Sequence, residues 1–252
     1  AIGTYQDSTG QSSCLDADAG FYVDSTAQTT QTECAIGTYQ DSTGQSSCLD
    51  AEAGYYVDST GSDSQTECAL GSWQNQTGQS SCFEADAGYY VDTNASISQT
   101  PCAAGTWQNQ TNQTSCLLAD AGYYVSTTAQ TNQTECAIGT WQNQTGQSSC
   151  FEADAGYYVD TNASISQTPC AAGTWQNQTN QTSCFEAEAG YYVDTNASIS
   201  QTPCAAGSWQ NQTNQTSCFE ADAGYYVDTN ASINQTPCAA GSWQNQTGQS
   251  SC

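Results

Sequence analysis

The chain has 252 residues, 25 of them Asp or Glu, and it contains no Lys, Arg, His or Met, so its formal net charge is −25. Without a basic side chain it cannot neutralise phosphate, which excludes nucleic acid and anionic lipid surfaces as partners. Ile, Val, Leu and Phe together number only 24, too few for an ordinary core, so 15 cysteines and the recurring 6 Trp and 15 Tyr must supply the order instead.

In chain order, Ala1 is not Met and falls inside a repeat, so the stretch reads as part of a longer or processed chain. No run of about 18 apolar residues follows, so no membrane span is expected. Cysteines occur at 14, 34, 48, 68, 82, 102, 116, 136, 150, 170, 184, 204, 218, 238 and 252, in alternating steps of 20 and 14. The period is therefore 34, and the spacing predicts tandem units over 1–33, 34–67, 68–101, 102–135, 136–169, 170–203 and 204–237, with a partial eighth over 238–252. Each unit divides again into two halves of 17 residues, as Cys34-Ala-Ile-Gly37-Thr-Tyr39 aligns with Ala51-Glu-Ala-Gly54-Tyr-Tyr56. The first half carries Cys at its first and fifteenth positions, and the second carries Ala and Gln there, as in Ala51 and Gln65.

These two positions are gained and lost together, as expected if each pair is one bond. The pairs are then Cys34–Cys48, Cys68–Cys82, Cys102–Cys116, Cys136–Cys150, Cys170–Cys184, Cys204–Cys218 and Cys238–Cys252. On this scheme the partner of Cys14 lies just upstream of Ala1 and the array continues in that direction. The alternative joins cysteines across the step of 20, as Cys14–Cys34, and leaves Cys252 odd. A ring of this size removes about 3 kcal/mol of denatured-state entropy. Such bonds persist in an oxidising compartment, so the chain is expected to be extracellular or at the cell surface. A metal-held set of reduced cysteines lacks its CxxC knuckles and its His.

Every half-unit places Gly at its fourth position and an aromatic at its sixth, as Gly71 and Trp73 or Gly88 and Tyr90. There is no 3.6-residue period. Segments such as Gly88-Tyr-Tyr-Val-Asp92 favour strand, and Thr77-Gly78-Gln79 favours a turn. The expected fold is a small, disulfide-rich, all-β or irregular one: an elongated tandem-repeat rod of short hairpins without helices. The aromatics are expected to pack on the disulfides and between units, with the fixed Gly serving a positive φ or a close approach.

The pattern Cys-x-x-Gly-x-aromatic followed by Thr-Gly-Gln-Ser-Ser-Cys resembles the ephrin-receptor-like cysteine-rich tandem repeats, relatives of the growth-factor-receptor and TNF-receptor modules. The resemblance covers the whole chain, with one departure: every second half-unit lacks its cysteine pair. It implies extracellular rods, stalks and fibrous surface proteins without catalysis.

Fifteen Asn-x-Ser/Thr sequons occur, at Asn75, Asn94, Asn109, Asn112, Asn132, Asn143, Asn162, Asn177, Asn180, Asn196, Asn211, Asn214, Asn230, Asn234 and Asn245. They recur at the same repeat phases and predict covalent N-glycans that thin towards the start of the chain. The acidic stretch holding Glu84, Asp86 and Asp92 resembles the opening of a calcium loop but lacks a distal bidentate Glu, so it also reads as a solvated acidic face. No other cofactor is implied. Nucleophilic catalysis lacks a His or Lys base, and glycoside chemistry lacks a cleft, so no enzyme is expected.

These features predict a structural component of an extracellular glycosylated fibre, stalk or cell-surface filament, which self-associates or continues a longer array. Near-identical repeats favour that role, since Phe151 to Gln176 repeats Phe83 to Gln108. The alternative is a repeat segment of an adhesin or receptor ectodomain that binds protein or carbohydrate, and Leu117-Leu118 is the one break in the pattern that could mark a ligand site. Since the chain has no Lys or Arg, native or denatured protein incubated with pure trypsin should remain uncut on gel and by mass spectrometry.

Overall fold

The computed structural model describes residues 1–252, and it contains 28 two-residue strands and no helix. The strands pair with one another within their own half-unit, giving 14 antiparallel two-stranded hairpins, and one isolated parallel bridge joins Tyr5 to Gln28 of the next half-unit. In a representative half-unit Thr38 pairs with Asp50 and Tyr39 with Leu49. In the next, Tyr55 pairs with Glu67 and Tyr56 with Thr66. Hairpins this short are marginal alone, so their order must come from what crosses between them.

The chain comprises two compact units. The first comprises Ala1–Leu118 and Thr127–Gln133, and the second comprises Ala119–Ser126 and Thr134–Cys252. Within the first, backbone bonds tie each half-unit to its neighbours. Gly37 N–H donates to the Val57 carbonyl at 2.8 Å, Gln40 N–H to Ser62 at 3.1 Å, Gly44 N–H to Ala17 at 2.7 Å and Ala51 N–H to Gly37 at 2.9 Å. The same set recurs in the second, where Gly139 N–H donates to Val159 at 2.8 Å, Gln142 to Ser164 at 3.0 Å, Gly146 to Ala119 at 2.7 Å and Ala153 to Gly139 at 2.8 Å. These bonds pair backbone groups that the short hairpins would otherwise leave open.

The glycine at the fourth position makes this stack possible. Gly54 has a φ of 89°, and a Cβ built there would run into the carbonyl of Ala95, two half-units further on. Both of the reasons expected for the fixed glycine therefore apply at once. The eleventh position is also left-handed but roomier. It holds Gly78 with a φ of 70°, Ala95 with 52° or Asn112 with 60°.

The interior differs from the one the aromatics suggest. No aromatic is buried; the buried column is Ala51, Ala85 and their equivalents alternating with Cys34, Cys68 and theirs, backed by Val57, Val91 and by Gln74. Tyr39, Tyr56 and Trp73 are half-buried. Backbones that approach to within contact of a glycine leave room only for small side chains, so the rings are displaced to the flank. The buried Gln74 is satisfied within its own loop: its Nε2 donates to the Ser81 carbonyl at 2.9 Å, and its Oε1 accepts from Gln76 N–H at 3.1 Å. Paired in this way, a buried amide is tolerable.

Two glycine substitutions separate conformation from space. Gly88→Ala puts a methyl against the Ala129 carbonyl, and it should cost more than the roughly 1–2 kcal/mol of a left-handed alanine. Gly78→Ala meets only the flexible Asp50 side chain at 3.5 Å, at a position where Ala95 already stands, and should cost no more than that conformational cost. Thermal unfolding of the two variants should give the larger drop for Gly88→Ala.

Candidate functional site

Chemistry-bearing residues lie in three sets, namely the crosslinks that close each hairpin, the acids beside them and the asparagines on the outer loops. In the first unit disulfides join Cys34–Cys48, Cys68–Cys82 and Cys102–Cys116. In the second they join Cys136–Cys150, Cys170–Cys184, Cys204–Cys218 and Cys238–Cys252. All have Cα atoms 5.7–5.8 Å apart, an ordinary span for the bond. Cys14 is exposed and unpaired. Cys238–Cys252 ties a half-unit without paired strands, and the first six bonds each tie one hairpin and leave the next without one.

That next hairpin is closed by an amide instead. Gln99, at the place of the second cysteine, accepts the Asp86 N–H at 2.7 Å through its Oε1 and donates from Nε2 to the Asp86 carboxylate at 2.7 Å. Asp18 with Gln31, Asp154 with Gln167 and Asp222 with Gln235 repeat this clip, with carboxylate contacts of 2.6–2.7 Å. Where Glu replaces Asp, at Glu52 and Glu188, the backbone bond stays at 2.7 Å and the carboxylate contact lengthens to 3.4 and 3.2 Å. The shorter side chain puts its oxygen within reach of an amide that is already fixed by the backbone bond. The amide and its acid therefore form a noncovalent counterpart of the cystine, a role that the sequence shows only as an alternation of Cys and Gln.

The acids singled out in the sequence lie beside these clips. Glu84 accepts from the Thr111 hydroxyl at 3.1 Å, and Asp86 is engaged by Gln99. Glu84, Asp86 and Asp92 do not converge, and no group of three or more His, Cys, Asp or Glu is placed to hold a metal ion. The three acids are exposed. Burial foremost, then the Glu52 and Asp41 carboxylates, raises the Tyr39 phenol above its usual value, so the ring stays neutral and adds no charge to the acidic surface.

All fifteen sequon asparagines are exposed. Asn75, Asn109, Asn143, Asn177, Asn211 and Asn245 follow the outgoing strand, or its sequence position, by two residues. Asn112, Asn180 and Asn214 occupy the left-handed eleventh position with φ of 60–61°. At Asn162, Asn196 and Asn230 the side-chain oxygen accepts the backbone N–H of Ile138, Ala172 and Ala206 at 2.9–3.1 Å, which leaves the amide nitrogen free to carry a sugar. Asn94, Asn132 and Asn234 complete the set. Leu117 and Leu118 lie on a paired strand and are 47% and 58% exposed, no more than Leu and Ile elsewhere in the chain, so the break in pattern makes no distinct patch.

Open grooves recur at equivalent phases, one lined by Tyr22, Asp24 and Glu33 and another by Tyr56, Asp58 and Glu67. No helix is long and apolar enough to cross a membrane. A search of curated proteins returned no match to the chain. Residues 20–68 match the family model described as tyrosine-protein kinase ephrin type A/B receptor-like, and with its repeated disulfide-closed hairpins this chain is a cysteine-rich tandem repeat similar to those extracellular, receptor-like modules.

Proposed function

We propose that this chain is a structural segment of an extracellular, N-glycosylated fibre, stalk or surface filament, without catalytic activity. The observation that carries this reading is the uniformity of the stacking within each of the two units: adjacent half-units are hydrogen-bonded through the same backbone groups, and fourth-position glycines such as Gly54 and Gly156 lie against a carbonyl two half-units on. An array held by near neighbours alone extends by adding hairpins and needs no unique core. Equivalent grooves and equivalent exposed asparagines on successive repeats suit a spacer better than a receptor, whose ligand site would set one repeat apart. The absence of every basic side chain removes the usual bases and electrophilic clamps of an active site. Self-association of so acidic a surface has to overcome charge repulsion, which neutral glycans and salt would reduce.

The clip and the cystine set the mechanical character of the array. Together they close successive hairpins from Phe21 onward, alternating one that can reopen with a covalent lock. Replacing Gln99 by Ala removes two hydrogen bonds at a cost of about 1–3 kcal/mol, and it should speed exchange of the Asp86 amide while the Cys68–Cys82 and Cys102–Cys116 hairpins keep their protection.

Peptide mass spectrometry on unreduced protein, cleaved at aromatic or acidic residues before and after enzymatic N-glycan removal, tests the functional reading. Linked cysteines 14 apart together with glycan mass on most of the sequon peptides support it. Free thiols and bare asparagines in secreted protein would sink it and leave a flexible linker in its place.

A further inference from the structure

The sixth-position aromatics of the disulfide-bearing half-units are of two kinds, and the difference follows the sequon. Tyr5 and Tyr39 are followed two residues later by Asp7 and Asp41, whereas Trp73, Trp107, Trp141, Trp175, Trp209 and Trp243 are each followed by Gln-Asn-Gln-Thr. Wherever the asparagine is present the ring is Trp, and wherever it is Asp the ring is Tyr. The residue opposite on the returning strand follows the same division. Tyr5 and Tyr39 face Leu15 and Leu49, while Trp73, Trp141, Trp175 and Trp209 face Phe83, Phe151, Phe185 and Phe219, with Leu117 opposite Trp107 as the exception.

The geometry gives this association a physical meaning. Trp73 and Phe83 are tilted against each other with ring centroids 5.4 Å apart, and the other three pairs repeat this at 5.3–5.4 Å. Gln74 follows the strand, its N–H bonded to Ser96 at 3.0 Å and its side chain buried, between the half-buried Trp73 and the exposed Asn75. The indole N–H of Trp73, Trp107, Trp141, Trp175 and Trp209 is turned in and buried. What each half-buried indole side chain offers to solvent is therefore its carbon surface. Phe83 adds a ring that is 49% exposed. Such exposure of Phe is costly in a chain with so few apolar residues, and it persists in four of the Trp-bearing hairpins at 49–51%.

We propose that each Trp–Phe pair is a docking platform for the first N-acetylhexosamine of the glycan on the asparagine two residues beyond the Trp. The C–H face of a pyranose stacks on an aromatic ring as other apolar groups do, and an attached sugar needs no second binding event to reach it. The tethered sugar covers the Phe edge that the protein leaves in water. Sequons on the amide-clipped hairpins lack this platform: Tyr157 and Tyr158 pair with Pro169 and Thr168, and Asn162 is turned towards the Ile138 N–H. The inference deepens the reading of the chain as glycosylated and rests on it.

The test is performed on the full chain secreted from a glycosylating host fed with carbon-13-labelled N-acetylglucosamine, with site occupancy measured by glycopeptide mass spectrometry. Ring currents should move the acetyl methyl resonances of the sugars on Asn75, Asn143, Asn177 and Asn211 upfield of those on Asn94, Asn162, Asn196 and Asn230. Trp73→Leu should return the Asn75 methyl to the unshifted position. Phe83→Leu, which copies the natural Trp107 and Leu117 pairing, should reduce the shift in a fold already compatible with that substitution. An intact Cys68–Cys82 bond checks the fold of both variants. Occupied sites whose methyls stay unshifted would overturn the platform and leave the glycosylated reading standing. Bare asparagines at these four sites, with glycans elsewhere, would also overturn the platform alone. Bare asparagines throughout would overturn both.

Discussion

The close approach of a glycine to a carbonyl two half-units away is the contact on which the rest of the architecture depends. At Gly54 the backbone is left-handed, and the Ala95 carbonyl lies where a side chain would begin. Its N–H at the same time donates to the Gln74 carbonyl at 2.7 Å, and its own carbonyl accepts from Cys68 N–H at 2.8 Å. One residue thus joins its half-unit to the following one by both of its polar groups and touches a third. Hairpins with two paired residues per strand could not hold themselves together, and this stacking of backbone on backbone stands in for the large core that the composition denies them.

From that contact follow the small interior and the need for a further tie across the hairpins. A column of Ala and Cys is what fits beside an approach so close. Dispersion and hydrophobic burial from such side chains are modest, so successive hairpins from Phe21 onward also carry a tie, alternately the amide–acid clip and cystine. The two devices differ in kind. The cystine constrains the unfolded chain, while the clip acts only once the loop is formed, by satisfying a backbone N–H and holding a carboxylate by hydrogen bonds in a protein with no cation to pair it. An acidic chain without Lys or Arg has to solvate its charge or hydrogen-bond it, and here it does both.

The outward displacement of the rings links the fold to the surface proposed for glycans. Large aromatics excluded from the column lie on the flank, where Trp73 and Phe83 meet across the strands close to an exposed asparagine. The same packing constraint therefore accounts for why the interior is small and why the apolar surface is distributed regularly along the repeats. It also repeats the same ring pair at Trp73, Trp141, Trp175 and Trp209.

The sequence by itself determined the 34-residue period, the hairpin-forming segments, the joint gain and loss of cysteines 14 apart, and the impossibility of a basic site. These are properties of spacing and composition within one half-unit. The need for glycine at Gly54 was legible too, because a residue fixed in an otherwise varying loop points to backbone geometry. Tertiary structure decided which carbonyl meets that glycine, that Ala and Cys rather than Tyr and Trp form the buried column, and that Gln99 closes a hairpin through Asp86 while Glu84 accepts from the Thr111 hydroxyl. Most of these contacts join residues from different half-units, and all of them depend on how the backbones stack, which identical local patterns do not reveal. The size of the gap between stacked backbones, and hence what can fill it, exists only once the hairpins have come together.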